Sequence, residues 1–325
     1  MMLHNLLGAF LALSLMFAHP LIALSADTSY PTKPIRLIIP FPPGGSSDIV
    51  GRPVAIKLSE RLGKSVFIDN RGGAGSVIGT EVAARAVPDG YTLLLINATY
   101  ARLPAIQKLR YDPKTAFIPI SLMARGVNAL VVHPSVPVNT VKELIALAKS
   151  KPGQVIFSST GIASAPHLAA ELFKMKTGID ILIVQFKGAN DAMIDLLGGH
   201  SHASFSTLLQ AVPHVKSGKL KILATTGLVR SATMPDVPTV AEAALPGFQA
   251  QGWWGIGAPA GTPAPIIERL NREIKEIMAL DEIKKLMFDE GAEVHYLGTT
   301  DFSSFVDKEI NTMFSIIKNA KIKIN

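Results

Sequence analysis

The chain has 325 residues, with 32 Lys and Arg against 25 Asp and Glu, a formal net charge of +7. It is 48% hydrophobic, 18% charged and free of cysteine. That balance excludes a collagen, a coiled coil and a disordered polymer, and it excludes disulfides, thiolate chemistry, cysteine-ligated metals and a lipid anchor on a mature N-terminal cysteine. The positive charge is spread thinly, which suits a small anionic partner better than nucleic acid.

Residues 6–24 read LLGAFLALSLMFAHPLIAL, and nothing from 1 to 26 is formally charged with His neutral. Small residues stand at Ala23 and Ser25. We read 1–25 as an export signal cleaved near Ser25, although MMLHN lacks the usual Lys or Arg; the alternative is an uncleaved anchor. A soluble, cysteine-free remainder suits the bacterial periplasm.

Beyond the signal, strands alternate with helices. The β-branched run 35–40 (IRLIIP) predicts a buried strand. Residues 46–62 carry apolar positions at helical spacing, and Gly63 supplies a stop. Strand 66–68, helix 76–86 and strand 92–96 follow, with Pro88-Asp89-Gly90 as the turn. This order implies a parallel sheet covered on both faces. A second round places strands at 129–132, 155–158, 181–186, 203–206 and 221–225. Helices fall at 140–150, 165–176 and 191–197. Thr140 and Glu143 have the spacing of a capping box. A late strand at 253–258 and helices at 263–280 and 300–320 close the chain. The fold class is α/β, in two lobes.

The informative residues lie where strands hand over to helices. Residues 41–48 read FPPGGSSD, where glycines let backbone N–H groups converge beside a helix N-terminus. The plainer reading is a turn with Ser46 or Ser47 as N-cap. Asn97-Ala98-Thr99, Ser158-Ser159-Thr160-Gly161 and Phe186-Lys187-Gly188-Ala189-Asn190 occupy equivalent junctions. Ligands of open α/β sheets sit outside the carboxyl ends of the strands, so these junctions can share one cleft for a small polar anion.

Other motifs carry less. The run 73–79 (GAGSVIG) is one residue too long for a dinucleotide loop and follows the second strand. Gly63-Lys64-Ser65 lacks the earlier glycine of a P-loop. His200-Ser201-His202 has no further metal ligands in view and reads as a solvated turn. No nucleophile elbow exists. Trp253-Trp254 reads as core first and as a cleft wall second. No cofactor, metal or catalytic residue is expected.

Further blocks fall in a recognisable order: FPPGG at 41–45, Asp48, NRGGAG at 70–75, PDGYT at 88–92, Ser159-Thr160-Gly161 with His167-Leu168, Lys187-Gly188-Ala189, 196–199 (LLGG), PTVAE at 238–242, and 254–263 (WGIGAPAGTP). Together these resemble the tripartite tricarboxylate transporter substrate-binding family, the Bug-type periplasmic receptors. The resemblance implies a two-lobed type II periplasmic binding (Venus flytrap) fold, each lobe a mostly parallel sheet flanked by helices. Residues 26–124 plus 252–325 would form lobe one and 125–251 lobe two, with crossings near 122–129 and 252–257 as the hinge. It implies a monomer that is not an enzyme, and a small carboxylate ligand (a di- or tricarboxylate or an aromatic acid) delivered to a membrane permease. Carried over by position, Phe41, Pro43, Gly44, Gly45 and Asp48 would contact the ligand from lobe one. Thr160, Gly161, Ala163, His167, Lys187, Gly188 and Ala189 would do so from lobe two. Thr99 and Ser206, at strand carboxyl ends, complete the set. Two departures bear on specificity. Asn190 and Asp191 stand where the family has Gly-Pro, and His200-Ser201-His202 stands where it has Gln-Val-Asp. An exported enzyme with His167 and Asp48 as acid and base, or a sensor, are the alternatives.

Overall fold

The strand Ile35–Ile39 (β1) reads as an apolar run broken only by Arg36, which pairs with Asp69 of the neighbouring strand. Ile35, Leu37 and Ile39 face one core, Ile38 faces the other, and all four are fully buried. The structure, a computed structural model, describes residues 30–161 and 163–320. The expected signal segment 1–25 and its cleavage point lie outside the described residues.

After β1 come Ser46–Leu62 (α1), Val66–Asn70 (β2), Val77–Ala84 (α2), Thr92–Asn97 (β3), Ala98–Arg102 (α3) and the long strand Phe117–Val132 (β4). The second round runs Val141–Ser150 (α4), Val155–Thr160 (β5), Ala165–Thr177 (α5), Ile181–Phe186 (β6), Ala189–Leu197 (α6), Ala203–Thr207 (β7), Leu208–Lys216 (α7), Lys221–Thr225 (β8) and Val240–Ala243 (α8). The chain closes with Gln251–Pro259 (β9), Ala264–Ala279 (α9), Asp281–Asp289 (α10), Ala292–Leu297 (β10) and Thr299–Ala320 (α11).

The strands form one hydrogen-bonded path in the order β2-β1-β3-β9-β4-β7-β5-β6, with β10 and β8 also pairing β4. β1 pairs β2 and β3 in parallel, and β5 pairs β6 and β7 in parallel. The antiparallel strands β4 and β9 join the two sets. From Phe117 to Val127, β4 pairs β9; from Asn128 to Val132 it pairs β7. One strand is therefore shared between two lobes. In the first lobe β2, β1, β3 and β4 run one way against β9 and β10. In the second β6, β5, β7 and β8 run against β4. The chain returns to the first lobe through β9, whose residues 254–257 pair with β3.

Each lobe has a core on both faces of its sheet. In the first, α1, α9 and α10 cover one face through Val50, Leu58, Leu270, Ile274 and Met287. α2 and α11 cover the other through Ala83, Phe302, Val306 and Ile310. In the second lobe Phe157, Phe173, Phe205 and Phe248 form a buried cluster with ring centroids 5.5–6.4 Å apart. Burial of each ring contributes about 1.5–3 kcal/mol. Met193, Leu196, Leu208 and Val212 of α6 and α7 fill the opposite face. Among the described residues no helix is long and apolar enough to cross a membrane.

Candidate functional site

Five helices of two turns or more begin at one cleft between the lobes. Gly45, Ser46 and Ser47 open α1, and Gly73, Gly75 and Ser76 precede α2. Ser164, Ala165 and Pro166 open α5; Gly188 and Ala189 open α6; Thr207 and Gln210 open α7. All of these line the cleft. The short α3 adds Asn97, Ala98 and Thr99, and Gly252, Trp253 and Trp254 of β9 form a further wall. The cleft encloses about 730 Å³ of non-atom space, solvent at its mouth included.

The electrostatics favour an anion. α1, α2, α6 and α7 have no side-chain N-cap, so no capping side chain claims their first-turn amides. Each helix N-terminus favours negative charge by about 0.3–1 kcal/mol. Among the described residues Lys187 is the one formally charged side chain in the lining. At α1 the cap position is held by Gly45 rather than by Ser46 or Ser47. Ser47 Oγ instead accepts a hydrogen bond from Asn97 Nδ2 (3.1 Å), while Asn97 Oδ1 caps α3 through the Thr99 N–H (3.0 Å).

Backbone strain is concentrated here. Ala74, Ser76 and Ala163 are the non-glycine residues with positive φ among those described, at 48°, 90° and 65°. Such conformations cost roughly 1–3 kcal/mol each and persist where a site needs them. They bring Ser76 and Gly161 from opposite lobes to one cleft. The Ser76 hydroxyl is buried there without a protein hydrogen-bond partner.

Comparison with known proteins gives the same direction. Residues 50–322 match the model of the tripartite tricarboxylate transporter family receptor. The chain belongs to that family. It is 36% identical to the protein BugT of Bordetella pertussis over 304 residues, 93% of either chain. It is also similar to the solved periplasmic binding protein BugD, with a TM-score of 0.87 and 32% identity, covering 90% of this chain and 99% of that one. The R. palustris protein Rpa4515, solved with adipate, superposes with a TM-score of 0.87 at 33% identity over 90% of this chain and 98% of its own. The fold is thus the two-lobed periplasmic binding fold, and the protein is a Bug-type receptor.

Of the positions named from the receptor family's motifs and from strand ends, Phe41, Gly45, Thr99, Thr160, Gly161, Lys187, Gly188 and Ala189 converge on the cleft. The others lie just behind it. Asp48 forms an ion pair with Arg52 (2.8 Å) and accepts hydrogen bonds from the Gly44 N–H (3.2 Å) and Asn70 Nδ2 (3.2 Å), bracing the loop 41–45. Pro43 and Gly44 form the turn of that loop, with Gly44 at φ +78°. Ala163 donates its N–H to His167 Nδ1 (3.2 Å), and His167 Nε2 faces Glu171 (3.6 Å). That contact holds the Glu171 carboxyl below its usual range against the opposing effect of burial. Ser206 Oγ donates to Ser204 Oγ (3.3 Å), one residue short of the lining. Asp48 and His167 each bond within their own lobe, and no hydrogen bond joins them among the described residues, so the acid–base pairing finds no geometric support.

The glycine run that failed as a dinucleotide loop supplies three lining residues. Its sequence signal was present in the Gly-Ala-Gly-Ser order, but the left-handed turn it makes is visible only in the backbone. Thr207 and Gln210 were missed because Pro213 obscures α7. Trp253 and Trp254 are both wall and core: each is 3% exposed, and Trp253 Nε1 donates to Glu309 (3.1 Å). The turn at 200–202 is less solvated than expected. His202 Nδ1 accepts the Ile156 N–H (3.0 Å), and the Ser201 hydroxyl donates to Asp195. The described residues hold no cluster of three or more potential metal ligands.

Proposed function

We propose that the protein captures a small carboxylate between its lobes in the periplasm and presents it to a tripartite tricarboxylate-type membrane permease. Residues 1–25 act as a removable export signal. Residues 26–124 plus 252–325 move as one lobe and 125–251 as the other. The single observation that carries the reading is the convergence of helix N-termini from both lobes on one cleft where, among the described residues, Lys187 is the one formal charge. A carboxylate there bonds amides of both lobes, so it binds the closed form better than the open one and draws the lobes together. The adipate bound by the similar R. palustris protein supports a carboxylate. We assign first contact to Gly45, Thr99, Thr160, Gly161, Gly188 and Ala189, with Ser76 and Lys187 at the ligand's flanks. Asp48 and His167 position the loops that carry these contacts.

The test is a thermal-shift screen of purified protein against adipate, citrate, benzoate and uncharged analogues. Ligand at 100 times its dissociation constant stabilises by about 2.7 kcal/mol. Spread over an unfolding entropy of about 2.1 cal/mol/K per residue, that raises Tm by about 4 °C. A screen in which no carboxylate raises Tm, or in which the uncharged analogues do so equally, refutes the proposal.

A further inference from the structure

Pro42, Pro43, Gly44 and Gly45 of the first lobe face Gly188, Ala189 and Asn190 of the second along a seam beside the cleft. Apart from Asn190, the facing residues are proline, glycine and alanine, with no polar side chain. A Cβ placed on Gly188 would lie 3.1 Å from Pro42 Cγ, and one on Gly45 would lie 3.8 Å from Ala189 Cβ. Such residues let the lobes touch but give the contact no direction. Asn190 is different. Its Nδ2 donates across the seam to the Pro43 carbonyl (3.1 Å), and its Oδ1 accepts from Gln210 Nε2 (3.5 Å). Gln210 is oriented in turn by the Thr207 hydroxyl (3.2 Å), and both Thr207 and Gln210 line the cleft. Gly44 leaves the room this needs: any Cβ there would come within 2.6 Å of Asn190 Nδ2.

We propose that Asn190 is a positioning residue for ligand capture, an inter-lobe latch that ties the β1–α1 loop to the cleft wall of the second lobe through the chain Thr207–Gln210–Asn190–Pro43. This rests on the carboxylate-receptor reading above and adds a residue outside the cleft lining. The latch exists only when the lobes are together, so it stabilises the closed state without touching ligand. Ligand that fixes Gln210 and the latch that holds Gln210 then favour the same state, and the ligand dissociates more slowly for it.

The test exploits the absence of cysteine. Spin labels on Lys64→Cys and Lys149→Cys, one exposed site in each lobe, report the inter-lobe distance with and without adipate. One hydrogen bond of this kind contributes a factor of about 2–10. Asn190→Ala is therefore expected to lower the closed-to-open ratio, and with it adipate affinity, by that factor through faster dissociation. Asn190→Asp should act likewise, because a carboxylate has no N–H to give Pro43. Tm without ligand should not move, since Asn190 is exposed. If adipate binds and closes all three proteins equally, the latch is refuted and the receptor reading survives. If none binds any carboxylate yet both variants lose closed population, the latch stands and the carboxylate reading falls. A wild type that closes under neither condition overturns both.

Discussion

Replacing Gly45 tests the heart of the cleft with two side chains that differ by two methyl groups. Gly45 sits at φ −82°, ψ 173°, extended backbone open to any residue, so substitution there adds no backbone strain. A single Cβ would rest 3.8 Å from Ala189 Cβ and 3.8 Å from the Pro42 carbonyl, ordinary contact distances. Gly45→Ala should therefore close and bind within about threefold of wild type, a tolerated change in volume. Valine reaches about 1.5 Å further with each of its methyls. With the Cβ already 3.8 Å from Ala189 Cβ, such a methyl has little room before it meets Ala189 of the opposite lobe. Overpacking of that kind costs about 1–3 kcal/mol, or roughly 5–150-fold in affinity. The cost falls on the closed state alone, so Tm without ligand should stay near that of wild type while titration calorimetry with adipate shows the loss. Wild-type affinity in Gly45→Val would show that the amides at 45–47 do not meet the ligand, and the argument from helix N-termini would fail with it.

Gly255 offers the complementary perturbation in the β4–β9 ladder. A Cβ there would lie 2.4 Å from Phe302 Cζ and 2.6 Å from the Ser121 carbonyl, and a backbone neighbour cannot step aside. Gly255→Ala should lower Tm by several degrees, following the usual ~1–3 kcal/mol of overpacking; an unchanged melting curve would contradict the packing described for β4 and β9. Acid sensitivity provides another check. Burial, reinforced by nearby Arg125, lowers the pKa of His295 from its usual 6.5. Just below that pH the unfolded chain takes up a proton more readily than the folded one. His295 therefore costs stability as pH falls from about 6.5. His295→Asn should narrow the Tm difference between pH 7.5 and pH 5, and an unaltered difference would remove His295 from the account.

Which features were legible in the sequence follows from the range of the interactions that make them. β1, β3 and the opening of β5 were readable because runs of Ile, Leu, Val and Phe mark them locally, with no partner needed to recognise them. The stretch of β4 from Phe117 to Val127 was not: Pro119, Ser121 and Arg125 interrupt its apolar pattern, and pairing with β9 on one side and, over 122–126, with β10 on the other makes it a strand. β10 alternates Glu293 and His295 with apolar residues, the pattern of an edge strand, and falls in a stretch left unassigned. The return of the chain through β9 is a tertiary fact with no local signature. In the cleft, residues presented by glycine-bearing junctions were found because the composition of those turns announces them. Ser76, Thr207 and Gln210 were not, since ordinary residue types enter the cleft there only through a left-handed backbone turn or a helix that carries an internal proline.

The sharing of β4 between both sheets makes the halves of this molecule inseparable. A fragment ending before β4 would hold β1, β2 and β3 alone, with β3 deprived of its antiparallel partner β9. A fragment beginning after it would strip β7 and β8 of the strand that joins them, and either cut would expose a raw backbone margin open to promiscuous pairing with other chains. The halves are joined by continuous strand ladders and not by a loose tether. A gene encoding one half alone would specify no finished product; the two halves can be inherited only together.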